Sequence, residues 1–163
     1  MNADSSLDAV VSAFIRYPEM SAIRYEARNN TVAMEMILKG NIVDKQQKRF
    51  LERIKHSLAL FHKIHQINPV QQTIKFVRQR DITILTWLRD NSSLSEEEIE
   101  LFVILVNQDF SAVLLTDGFE YDLNGAAYHD FKKTVMQKIS RVRHPYKKVF
   151  AYRDQGKMFV FDK

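Results

Sequence analysis

The side chains most able to do chemistry in this 163-residue chain are its five histidines and twenty carboxylates, and their spacing limits what that chemistry is. His62 and His65 are three residues apart, and Glu52 precedes His56 by four. On a helix either spacing brings ligand atoms to one side. Helical phase puts His62 at the border of an apolar face and His65 on that face. A satisfied core histidine is there a simpler reading than a metal ligand. Residues 120–125, EYDLNG, imitate the opening of a calcium loop, with oxygens at its first, third and fifth positions and glycine at its sixth. Phe131 stands where the bidentate glutamate belongs, and Asn124 as a helix cap accounts for the same residues. His129 and Asp130 have no nucleophile beside them. We expect no metal and no cofactor, and the sequence names no catalytic residue.

Basic residues interleaved with aromatics suggest a different chemistry. One set is Lys75, Phe76, Arg78 and Arg80. The denser one runs through Arg141, Arg143, Tyr146, Lys147, Lys148 and Arg153, with Phe150 and Tyr152 among them. Cations can hold phosphate, and exposed aromatics on a sheet can stack bases. No recognition motif accompanies them, and Phe150 and Tyr152 are more simply core residues of a strand.

Other classes are disfavoured by what is missing. The four glycines, at 40, 118, 125 and 156, are too scattered for a phosphate-cradling loop or a nucleophile elbow. Without cysteine there is no disulfide, thiolate metal site or cysteine nucleophile, which suits a reducing cytosol. The amino terminus, MNADSSLDAVVSAF, carries acidic residues where a secretory signal needs basic ones. No apolar run approaches the roughly 20 residues of a membrane span. These features predict a soluble cytoplasmic protein with no membrane association.

The elements that must position these residues centre on Ser95 to Thr116, a stretch without Lys or Arg. Ser95 and Glu98 form a capping box, in which the hydroxyl accepts from the helix and the carboxylate reaches back. Acidic residues crowd the first turns, where the helix dipole favours them. Gly118 followed by Phe119 fits a helix stop. Ile99, Phe102, Val103, Val106, Phe110, Val113 and Leu114 make one apolar face. Leu101, Leu105 and Ala112 make a second stripe, the candidate subunit interface. The competing reading takes FVILV as a buried strand with Asp117-Gly118 as a hairpin turn.

The flanking chain reads as hairpins and helices. A short helix from Leu7 to Tyr17 ends at Pro18. Ala22 to Arg28 and Thr31 to Leu38 alternate as strands around Asn29-Asn30. Asp44 to about Gln66 is an amphipathic helix, with Phe50, Ile54, Leu58, Phe61 and His65 inward and Lys45, Arg49, Glu52, His56 and Lys63 outward. Strands Thr73 to Val77 and Ile82 to Leu88 follow, then the central stretch. A helix from about Ala126 to Arg143 and a hairpin, Lys147 to Tyr152 and Lys157 to Phe161, complete the chain. The order α-ββα-ββα-α-ββ predicts one α+β domain over residues 1–163: an antiparallel sheet of β-hairpins with helices packed on one face. Its repeated ββα pattern suggests a structural duplication.

Charge is segregated along this order. Residues 45–89 hold ten bases and two acids, residues 90–130 ten acids and no base, and residues 131–163 ten bases and two acids. Three arrangements use such blocks. The acidic segment can lie beside basic helices within the fold. It can face a basic surface on a second copy. The basic surfaces can bind an acidic partner such as nucleic acid. In topology alone, the order α-ββ-α-ββ-α resembles that of the small dimeric secretion chaperones, and nothing further is taken from the resemblance. The expectation is a non-catalytic interaction module, a homodimer joined by part of the central helix or by a hairpin edge, with protein partners possible. The alternative is a nucleic-acid-binding domain that uses the basic carboxy-terminal helix and hairpin.

Overall fold

The computed structural model describes residues 12–116, 148–154 and 157–162. Residues 12–16 are helical (α1). They are followed by β1 (Ala22–Glu26), β2 (Thr31–Lys39), α2 (Asp44–Ile64), β3 (Gln72–Gln79), β4 (Ile82–Asp90), α3 (Glu96–Phe110), β5 (Lys148–Asp154) and β6 (Lys157–Asp162). The strands form one six-stranded antiparallel sheet in the order β3-β4-β2-β1-β5-β6. The chain is α+β.

Alternation builds the sheet's helix-covered face. Val32, Met34 and Met36 of β2 face the same way as Leu85 and Trp87 of β4, which the register sets opposite Met36 and Met34. Ile74 and Phe76 of β3 continue this face on one side, Ile23 and Tyr25 of β1 on the other. Helices α2 and α3 cover it. Phe50, Phe76 and Phe110 meet with ring centroids 5.0–5.9 Å apart, and Trp87 stacks flat on Phe102 at 4.1 Å. Each such pair adds about 1 kcal/mol to the area it buries. Alternation predicted one apolar face for the first hairpin, but β2 and β4 are buried on both. Ala33, Ile37 and Ile84 on the opposite face are as shielded as the core residues.

The turns of the β1–β2 and β3–β4 hairpins use left-handed backbone, at Asn30 (φ 50°) and at Arg80 (φ 52°). Asparagine tolerates that region well, so the first turn was legible, whereas arginine gives no such signal. Gly40 (φ 81°) ends β2, and its amide donates to the Asp81 carbonyl over 2.7 Å. The exit from β2 is thereby fastened to the second turn.

Two expectations change here. The central stretch is not helical to Gly118. Helix α3 ends at Phe110, and Leu114 makes an antiparallel bridge to Leu38. The cause is the length of β2. Its pairing with β1 stops at Glu35, leaving the backbone of residues 37–39 open on that side. Val113 and Leu115 supply the missing bonds, Lys39 N to Val113 O at 2.8 Å and Leu115 N to Ile37 O at 2.9 Å. The second change concerns duplication. The order ββα does occur twice, but the units differ in turn length and in helix length, 21 against 15 residues. The order of elements alone does not make them a duplication. The expected helix from Ala126 to Arg143 and the stop at Gly118 and Phe119 lie outside the described residues.

Candidate functional site

Three elements each place one polar side chain in phase with their apolar ones. On β4, Arg89 follows Leu85 and Trp87 at the strand period of two. On α3, Glu98 precedes Phe102 by four. On α2, His62 completes the series Phe50, Ile54, Leu58. All three point into the core, and there they meet. Arg89 and Glu98 are completely buried and His62 nearly so. Arg89 grips Glu98 with both prongs, Nη2 to Oε2 at 2.8 Å and Nε to Oε1 at 3.1 Å. Glu98 Oε1 also meets His62 Nε2.

The third nitrogen of Arg89, Nη1, donates to Asp90 Oδ1 and to Ser93 Oγ (3.1 Å). Asp90 in turn organises the chain around it. Its Oδ1 accepts from the amides of Val70 and Gln71, and its Oδ2 accepts from Ser92 Oγ and from the amide and hydroxyl of Ser93. Burial pushes the Asp90 carboxyl upward. The donated bonds from Ser93, Gln71 and Ser92 and the Arg89 charge outweigh it and lower the pKa to about 2. One cluster therefore ties β4 to both helices and to the loops on either side of its hairpin.

This arrangement cannot act on a substrate. Arg89 and Glu98 have no exposed surface, and their bonding groups are directed at one another. It is a structural tie, and removing one member would leave a charge unpaired in the core. Sequence reasoning missed it. The helical angle put His65 inward and His62 at the border, and the structure reverses them. His65 is exposed at the helix end, its ring tilted against Phe61 with centroids 4.2 Å apart. The capping box is half formed. Ser95 Oγ accepts from the Glu98 amide at 3.2 Å, while the Glu98 carboxylate turns inward to Arg89. The available signal was three polar residues in the apolar phase of three separate elements.

The cluster also accounts for part of the charge segregation. His62, Arg89 and, on the α2–α3 seam, Arg53 belong to the basic block. They pair with Glu98, Asp90 and Asp109 of the acidic one, Arg53 reaching Asp109 at 2.9 Å.

The other candidate residues are scattered. Leu105 is buried within one chain, Leu101 is half-buried against the core, and Ala112 is exposed beyond the end of α3. They do not form one exposed patch. Arg141, Arg143, Tyr146 and Lys147 lie outside the described residues, as do the acidic loop at 120–125, His129 and Asp130. Lys148 opens β5. Arg153 is turned inward. Its Nε donates to the Met20 carbonyl at 3.0 Å, and its guanidinium sits over the Phe14 ring at 4.4 Å. Phe150 and Tyr152 are buried strand residues. Among the described residues no group of three or more His, Asp or Glu could hold a metal ion, and no helix is long and apolar enough to cross a membrane. No protein-family model, curated protein or solved structure matches the chain.

Proposed function

We propose that the protein is a non-catalytic assembly module that works as a homodimer joined through β6. The observation that carries this reading is the difference between the two edges of the sheet. At one edge, β3 interleaves exposed Lys75 and Arg78 with its apolar residues, which discourages pairing with another strand. At the other, β6 has the run Met158 to Phe161 with no charge inside it. Phe159 and Val160 point to opposite faces, and they are 36% and 41% exposed.

A second copy is the occupant best matched to that edge. Antiparallel pairing of β6 with itself, centred on Val160, sets Val160 of each copy opposite Val160 of the other. Such an interface is two-fold symmetric and closed. The absence of cysteine supports placing the module in a reducing cytoplasm.

Light scattering on the purified chain tests the proposal. The expected mass is twice the 19.2 kDa of one chain. Val160→Lys at an exposed position would yield the single-chain mass with an unchanged circular dichroism spectrum and a melting temperature that no longer depends on protein concentration. A parent chain that is monomeric at every concentration, or a dimer that survives Val160→Lys, would overturn the proposal.

A further inference from the structure

Among the described residues, the acids of the acidic block that form ion pairs make none with the outward face of α2. The carboxylates of α3 that reach α2 go to its inward side chains, Glu98 to His62 and Asp109 to Arg53. Exposed Glu96 pairs with Arg16. The outward row of α2, Lys45, Lys48, Arg49, Lys55 and Lys63, makes no ion pair among the described residues and contains one acid, Glu52. Arg78 adds a sixth cation. It lies on the same strand face as Phe76, which packs on Phe50 of α2.

We propose that this outward face of α2 binds the phosphodiester backbone of a nucleic acid. Lys45 and Lys63 are about 27 Å apart along a straight helix, with Lys48 and Arg49 one turn after Lys45 and Lys55 between them and Lys63. A rigid rod carrying cations along its whole length matches a polymer with one charge per phosphate, and an α-helix fits the major groove of a duplex. Two other acidic partners fit less well. A protein interface has an apolar centre, but the exposed apolar residues of α2, Ala59, Leu60 and Ile64, are confined to its carboxy-terminal end, and from Asp44 to Leu58 every exposed residue is charged or histidine. An anionic membrane needs an apolar face to insert, but that side of α2 is committed to the core through Phe50, Ile54 and Leu58, each with no exposed surface.

Fluorescence anisotropy with a short labelled DNA duplex, titrated at increasing salt, tests the assignment. Five phosphate contacts give a log–log salt slope of about −4.5, so affinity falls about 500-fold between roughly 50 and 200 mM. Lys55→Glu should weaken binding about tenfold and reduce the slope by about one. Lys75→Glu makes the same change in net charge on the opposite face of the sheet and should leave binding unchanged. Three results would overturn the proposal. One is no binding at low salt. Another is equal weakening by both variants, which would reflect net charge alone. The last is competition by poly-glutamate or anionic vesicles as effective as by unlabelled duplex, which would reassign the face to an acidic protein or to lipid.

Discussion

Arg89 on β4 and Glu98 on α3 face each other without any exposed surface, held by two parallel hydrogen bonds of 2.8 and 3.1 Å. They are nine residues apart in sequence, and the loop between them is organised by Asp90. The pair fixes where α3 begins relative to the sheet. Because His62 shares the Glu98 carboxylate, it also fixes the carboxy-terminal end of α2.

Breaking this pair should cost far more than replacing it. Glu98→Ala leaves the Arg89 guanidinium buried and unpaired, an expected loss of about 3–5 kcal/mol in urea unfolding. Arg89→Met combined with Glu98→Leu exchanges both charges for apolar side chains of similar volume. It should recover most of that stability. A double variant no more stable than Glu98→Ala would show that the site cannot close without its charges.

The Asp90 carboxyl predicts a specific acid sensitivity. Its folded pKa, about 2, lies below its ordinary value of 3.8. A group depressed on folding stabilises the protein above its unfolded pKa and loses that contribution as the pH falls through the folded value. The window therefore runs from about pH 4 down to about pH 2, and the amount at stake is roughly 2 kcal/mol. Asp90→Asn should be less stable than the parent at neutral pH and should show a flatter stability profile across that window. A profile parallel to the parent's would assign the acid sensitivity to other carboxylates.

Neighbouring residues of α3 should respond in opposite ways to the same charge. Leu105 is 8% exposed and Ile104 47%. Leu105→Glu forces a carboxylate into the core, at an expected cost of about 3 kcal/mol or more, and loss of structure by circular dichroism would precede any change in assembly. Ile104→Glu should shift stability by no more than about 0.5 kcal/mol. Equal tolerance of the two would mean that α3 turns the other way.

The amino-acid sequence by itself determined the class of the fold and most of its elements. Alternation in Ala22–Glu26 and Thr31–Lys39 marks strands, because side chains of an extended chain change face at every residue, and the β-branched apolar run within Ile82–Asp90 marks another. The 3.6-residue period of Asp44–Ile64 marks the amphipathic helix and its outward row of bases, and Ser95 marks where α3 begins. These signals are local, carried by residues within a turn or two of each other. Only the tertiary structure decided which polar groups are buried and with whom. Helical angle ranked His65 further inward than His62, the reverse of the structure, since it says nothing about where along the axis the covering sheet ends. The Ser95–Glu98 box looked complete, yet a guanidinium already inside the core binds the Glu98 carboxylate more strongly than an exposed backbone amide would. Helix α3 stops at Phe110 because β2 is longer than β1 and its last backbone groups need partners. In each case the deciding contact joins residues distant in sequence, and no periodic pattern records it.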